Sequence, residues 1–316
     1  MSFNRDHIKK ISTARVGVVG DIMLDRYWFG DVSRVSPEAP VPVVHVQKHE
    51  DRLGGAANVA RNVASLGARA AIMGVVGNDE AARSVRELIG EGGIADHLIE
   101  DSSVPTTIKL RVLGRQQQLI RVDFEEKPSH EVLSAALADF GRLLVDSEVL
   151  VLSDYGKGGL AHIGAMISAA REANKAVIID PKGSDYARYR GATVLTPNRA
   201  ELKEVVGAWK SEEDLQKKAE ELRRDLDLDA LLLTRSEEGM TLFSSNGRQD
   251  YPAQAKEVFD VSGAGDTVVA TLASLMAAGL PLGEAVPWAN RAGGIVVGKL
   301  GTATVNHQEL FGSEIQ

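Results

Sequence analysis

Asp260-Val261-Ser262-Gly263-Ala264-Gly265-Asp266-Thr267 gathers two glycines, two hydroxyls and two carboxylates into eight residues. Upstream, Tyr251 to Phe259 looks extended; downstream, Thr267 to Ala278 is small and apolar, without Pro or Gly, and stops at Gly279-Leu280-Pro281. That pattern reads as a loop entering the N-terminus of a buried helix. Glycines let the backbone approach a ligand closely, and first-turn N–H groups face outward at the positive end of the helix dipole. Such a place attracts anions, phosphate above all. A carboxylate among these donors suits one task, deprotonating a hydroxyl that attacks phosphorus. Asp266 is therefore a candidate base, with the amides of Gly263, Ala264 and Gly265 placed to stabilise transferred charge. The competing reading makes Ser262 or Asp266 an ordinary N-cap in a Gly-rich turn. The octapeptide alone does not separate the two.

The octapeptide resembles the C-terminal signature of the PfkB/ribokinase family of sugar kinases. Leu53-Gly54-Gly55-Ala56-Ala57-Asn58-Val59-Ala60 resembles the family's other signature, a diglycine followed by Asn near the N-terminus. The resemblance runs from Val16 to about Gly301. It implies a ribokinase-like three-layer α/β/α fold with a mostly parallel sheet, forming one kinase domain over residues 1–316. It also implies a small β-sheet lid, with segments at about 33–47 and 104–124, often shared between subunits, and hence a homodimer. ATP and Mg²⁺ are the implied cofactors, with a monovalent cation as a further candidate. At the matching positions Asp266 is the catalytic base, and Asp21, Asp25, Gly54, Gly55 and Asn58 serve the acceptor sugar. Asn198, Arg199, Ala200 and Glu201 are the N-x-x-E metal and phosphate motif, Glu201 reaching Mg²⁺ through water. Thr234 and Gly239 resemble the nucleotide-binding turn, and Asn290 lies where the family flanks adenine.

Within the family, SRVSPEAPVPVV, SDYGKG, DPKG and TPNRAE are most similar to the branch that phosphorylates D-glycero-β-D-manno-heptose 7-phosphate in lipopolysaccharide core synthesis. ATP-dependent phosphorylation at the anomeric hydroxyl is the implied reaction. The alternatives are a phosphosugar kinase of the fructose 1-phosphate type, or an idle sugar-phosphate sensor, against which the intact GAGD and N-x-x-E argue. Some relatives carry a C-terminal adenylyltransferase; ending at Gln316, this chain is expected to hold the kinase half alone.

The elements that must position these residues alternate. Arg15 to Asp21 is a short apolar strand ending in Gly-Asp, and ligands collect beyond the carboxyl ends of parallel strands, where Asp21 and Asp25 then lie. Prolines 37, 40 and 42 interrupt Ser33 to Val46, which reads as an edge or protruding strand. Gly54 to Ser65 reads as a helix, Ala70 to Val76 as a strand and Glu80 to Gly90 as a helix. Thr106 to Phe124 alternates Ile108, Leu110 and Val112 with Lys109 and Arg111 about a Gly114-Arg115 turn, which predicts a hairpin. From Leu133 four apolar strands alternate with helices, which predicts a parallel sheet covered on both faces. Asn198 and Glu201, three apart at a strand-to-helix junction, share one side of the first helical turn. A carboxylate and an amide there can hold a hydrated Mg²⁺, or simply cap the helix. Lys157 and Lys182 each follow a strand end beside Gly; with Arg121 on the lid they suit a second phosphate, that of the acceptor.

Composition sets the frame. With 316 residues, 44% hydrophobic and 25% charged, the chain is ordinary for a soluble globular protein. A net charge of −8 and a pI near 5.5 argue against nucleic acid or an anionic membrane as partner. The absence of Cys excludes disulfides and thiolate chemistry. No signal peptide or bilayer-length apolar run is read, so the expected location is the cytoplasm. No G-x-x-x-x-G-K-[ST], third dinucleotide glycine or H-E-x-x-H is present, which removes P-loop, Rossmann and zincin readings.

Overall fold

The computed structural model describes residues 5–115, 117–254 and 257–312. In chain order its strands are β1 (Arg15–Gly20), β2 (Ile22–Val35), β3 (Pro42–Gly55), β4 (Arg69–Val76), β5 (Ala95–Glu100), β6 (Thr107–Gly114), β7 (Gln117–Phe124), β8 (Val149–Ser153), β9 (Ala176–Asp180), β10 (Val194–Leu195), β11 (Ala230–Thr234), β12 (Met240–Ser244) and β13 (Gly247–Tyr251). The helices are α1 (Arg5–Ile11), α2 (Ala56–Ser65), α3 (Glu80–Glu91), α4 (His130–Asp146), α5 (Ile163–Glu172), α6 (Arg199–Val206), α7 (Glu212–Asp225), α8 (Ala264–Ala277), α9 (Leu282–Val296) and α10 (His307–Phe311).

Nine strands form the main sheet in the order β13-β12-β11-β10-β9-β8-β1-β4-β5. From β11 to β5 every pairing is parallel. The central strands are apolar at nearly every position because helices cover both faces. On β8, Val149 and Val151 point into a core shared with α2, α8 and α9, while Leu150 and Leu152 point into a second core shared with α4 and α5. Each such side chain, fully buried, contributes about 1.5–3 kcal/mol. The antiparallel edge made by β12 and β13 was not expected; strands this short carry little periodicity. Helix α8 lies within the first layer, buried at every position from Asp266 to Leu275. Its hydroxyls bond back into the helix, Thr271 to the Thr267 carbonyl at 2.7 Å and Ser274 to that of Ala270 at 2.8 Å.

A second sheet, in the order β3-β2-β6-β7, stands apart from the first. Its β2 and β3 are 14 residues each, so the strands extend well beyond the expected segment at 33–47. Pro37 and Pro40 fall between them and Pro42 opens β3, leaving the ladder free of interior prolines. The expected hairpin of β6 and β7 is present. Two boundaries differ from the expectation. Helix α2 starts at Ala56, since Gly54 and Gly55 complete β3. Regular extension ends at Tyr251 rather than continuing to Phe259, and residues 255–256 of that stretch lie outside the described residues.

Candidate active site

The polypeptide reaches α8 through Gly263, which caps the helix at φ 75° without any side-chain cap. That left-handed conformation suits glycine, and a Cβ there would come within 3.0 Å of Asn58 Nδ2. Neither Ser262 nor Asp266 caps the helix. Asp266 instead sits in its first turn, buried, with both carboxylate oxygens held. Asn58 Nδ2 donates to Oδ2 at 2.6 Å, and the Tyr155 hydroxyl donates to Oδ1 at 2.6 Å. The sequence reading gave Asn58 a sugar hydroxyl as partner; here its amide turns to Asp266. One turn along α2, Asn62 donates to the Asn58 carbonyl at 2.9 Å and accepts from Thr267 Oγ1 at 3.0 Å. These bonds tie the start of α2 to the start of α8. Burial pushes the Asp266 carboxyl up; the Tyr155 and Asn58 hydrogen bonds oppose it. Burial, then the charge of Asp266, pushes the Tyr155 phenol well up, so it remains a protonated donor.

What brings Tyr155 there is Asp21. Its buried carboxylate accepts the backbone N–H groups of Tyr155 at 2.9 Å, Lys157 at 3.0 Å and Gly159 at 2.9 Å. Asp21 therefore organises the loop after β8. Burial raises its carboxyl and the three amides lower it. Gly55, at φ 56°, ends β3 against Asp21, where a Cβ would fall 2.5 Å from the Asp21 carbonyl oxygen. Asp25, buried on β2, accepts from Arg111 Nη1 at 2.6 Å, with Gly54 leaving room beside the carboxylate. Arg111 and Arg52 both lie against the Tyr27 ring, 5.2 Å and 4.7 Å from its centre.

On the other side of Asp266 opens a cavity of about 510 Å³. Gly263 to Asp266 form one wall, the strand-end residues Asp180, Asn198 and Thr234 another. Val258, Val261 and Val297 supply apolar surface, and Gly239 and Asn290 also line it. First-turn amides lack intrahelical acceptors; that of Ala264 bonds the Val261 carbonyl at 3.2 Å, while those of Gly265 and Asp266 have no such partner among the described residues. A concave site of this size, apolar with a few polar groups and helix N–H donors, fits a nucleotide and its phosphates. Asn198 and Glu201 form a capping box, Glu201 N–H donating to Asn198 Oδ1 and Asn198 N–H to Glu201 Oε2, each at 3.0 Å. The capping reading of N-x-x-E is thus present, on residues that also face the cavity. Glu201 Oε1 takes Lys182 Nζ at 3.1 Å. Asn290 Nδ2 donates to the Pro252 carbonyl at 2.7 Å. Arg199 pairs with Glu238, and neither Arg199 nor Ala200 lines the cavity. Among the described residues no group of three or more acids or histidines is gathered closely enough to hold a metal ion.

The remaining cations are scattered. Arg121 sits on the outer strand of the lid in a two-pronged pair with Asp123 at 2.9 and 3.0 Å. Lys157 Nζ lies 2.5 Å from Glu125. Sequence reasoning missed Tyr155, Asp180, Lys109 and Arg111 as site residues. Asp180, in the DPKG stretch, lines the cavity, and burial followed by the charges of Asp266 and Glu201 pushes its carboxyl well up. Strand-end position would have found Asp180; nothing local distinguishes Tyr155 or the lid cations.

A profile of the pfkB family carbohydrate kinases matches residues 13–309. A D-beta-D-heptose 7-phosphate kinase of Bordetella bronchiseptica is 58% identical over 309 residues, covering 98% of this chain and 99% of that protein. The bifunctional protein HldE of Methylococcus capsulatus is 53% identical over 300 residues, 95% of this chain but only 63% of that longer protein. Among solved structures, phosphofructokinase-2 of Escherichia coli in complex with potassium superposes with a TM-score of 0.79 at 18% identity, covering 96% of this chain and 99% of that one. Ribokinase of Arabidopsis thaliana complexed with ribose and ATP gives 0.76 at 20%, covering 96% and 99%. These structures share the ribokinase-like fold.

Proposed function

The chain belongs to the pfkB family of carbohydrate kinases, and on that premise we propose that it transfers the terminal phosphoryl group of ATP to the anomeric hydroxyl of D-glycero-β-D-manno-heptose 7-phosphate. The product is the heptose 1,7-bisphosphate used in building the lipopolysaccharide inner core. One observation carries the reading. Asp266 is a buried carboxylate at a helix N-terminus, oriented at both oxygens and standing between the lid and a nucleotide-sized cavity.

Asp266 accepts the hydroxyl proton as the acceptor oxygen bonds to phosphorus and the bond from phosphorus to ADP breaks. The amides of Gly265 and Asp266 donate to the phosphoryl oxygens in flight, without reorganising as charge develops. Asn58 and Tyr155 keep the carboxylate aimed. Asp25, with one oxygen on Arg111, has its other oxygen for an acceptor hydroxyl. Lys182 is paired with Glu201, which lines the cavity together with Thr234, Gly239 and Asn290, and would reach the nucleotide phosphates from its rim. Glu201 would hold Mg²⁺ through water, and Mg²⁺ when bound would neutralise charge on the triphosphate. We place the reaction in the cytoplasm; among the described residues no helix is long and apolar enough to cross a membrane. The test is an ATP-consumption assay across a panel of sugar phosphates, with the product position read by ³¹P NMR. Heptose 7-phosphate should be the best acceptor, with new phosphorus at the anomeric carbon. Preference for a fructose phosphate, or transfer to another hydroxyl, would refute the substrate assignment.

A further inference from the structure

Asp266 has a face toward the lid as well as one toward the nucleotide cavity, and the lid brings cations to it. On β6, Lys109 stands half-buried with its Nζ 5.3 Å from the centre of the Tyr155 ring. The same Tyr155 hydroxyl bonds Asp266. One tyrosine side chain therefore spans from the carboxylate to this ammonium. Lys109 does not line the nucleotide cavity.

The ion pairs around it leave the Lys109 ammonium out. Arg111 is bonded to Asp25, Lys157 is paired with Glu125, and Asp123, the register partner of Lys109 on β7, gives both oxygens to Arg121. Asp266, whose charge also acts on Lys109, gives its two oxygens to Asn58 and Tyr155, so the Lys109 ammonium has no hydrogen-bond or ion-pair partner among the described residues. Burial, and the charges of Lys157 and Arg111, push its ammonium down from the usual lysine value, against the pull of Asp25. A half-buried cation without an anion is costly, and an incoming anion removes that cost. The other basic candidates are already occupied elsewhere, Lys182 at Glu201 on the nucleotide side and Arg121 on the outer strand.

We propose that Lys109 is the anchor for the acceptor's own phosphate, a phosphomonoester dianion, with Arg111 and Lys157 flanking it. The inference rests on Asp266 facing the acceptor, as proposed above. It explains how an acidic protein can hold two phosphorylated substrates without confusing them, since each has its own cation on its own side of Asp266.

Calorimetry on the full chain tests this without turnover. Lys109→Met should weaken heptose 7-phosphate binding, measured without ATP, by roughly ten- to hundredfold, the loss expected of one charge-assisted contact. ATP binding should change by less than about twofold, and the melting temperature should hold. Lys109→Arg should recover most of the affinity. Lys182→Met should show the opposite pattern, weakening ATP rather than the acceptor. If Lys109→Met left heptose 7-phosphate affinity intact, or weakened both ligands alike, the site would be wrong while the functional reading stood. A parent protein that bound ATP but not heptose 7-phosphate would remove the functional reading itself, and this inference with it.

Discussion

Tyr155→Phe isolates one hydrogen bond on the proposed base. The substitution deletes the hydroxyl that donates to Asp266 Oδ1 at 2.6 Å and leaves the ring beneath Lys109. A hydrogen bond to a charged group is worth about 1.5–3 kcal/mol. That bond favours the ionised form, so its loss should raise the Asp266 pKa further. The direction follows from the site, because burial already pushes this carboxyl up and Tyr155 is the first group opposing it. A base must be ionised to work, so the acid limb of the kcat/KM profile should move to higher pH, and activity on that limb should fall by roughly ten- to hundredfold, the equivalent of that bond. Activity should recover toward the parent's on the alkaline side. Stability supplies a second readout. A carboxyl whose folded pKa lies above its unfolded value stabilises the fold below the unfolded value, and that contribution is lost as pH rises through the folded one. The variant enlarges the shift, so its melting temperature should fall further below the parent's at neutral pH than in acid. An acid limb that stays in place, or a uniform loss of activity at every pH, would refute the proton-affinity argument and leave Tyr155 a role in shape only.

Two further outcomes are expected. Glu201→Gln keeps an oxygen for the Asn198 N–H but removes the charge that faces Lys182, so the Mg²⁺ requirement for turnover should rise by roughly tenfold; a metal titration showing an unchanged requirement, with weaker sugar-phosphate binding instead, would reassign the residue. The face of the lid away from Asp25 exposes Trp28 on β2, in register with Ile120 on β7 through Val112 of β6, and Phe124 further along β7, and β7 and β3 are open edges. Light scattering should therefore report a homodimer at micromolar concentration, and a fully active monomer would contradict it.

How much of this was legible in the sequence depended on how local the cause was. Asp266, the diglycine at 54–55 and the apolar strands from Val149 onward announce themselves by residue type and spacing within a few positions. The N-x-x-E pair was legible twice over, since one geometry both caps α6 and faces the cavity. Tyr155 was not legible. A tyrosine in a Gly-rich turn has no spacing that marks it, and it reaches Asp266 only because Asp21, far back in the chain, gathers the loop amides. Asp21 looked like a ligand for the same reason that it became an anchor, its place beyond a strand end. Lys109 and Arg111 were visible only as the polar half of an alternating strand. Their meaning depends on which acids the neighbouring strands place in register, and pairing between β2, β6 and β7 is set by the sheet as a whole. The length of β2 and β3 escaped notice because a lid with charged residues on both faces shows no clean period of two.

The central claim is that Asp266 takes the proton, and Asp266→Asn examines it with the least disturbance, because the amide keeps the size of the carboxylate and an oxygen for Asn58 or Tyr155. With heptose 7-phosphate and ATP both saturating, the turnover number should fall by roughly a hundredfold or more, while ATP affinity measured by calorimetry stays close to the parent's. An Asp266→Asn protein that turns over at near the parent rate would contradict the assignment of Asp266 as the base.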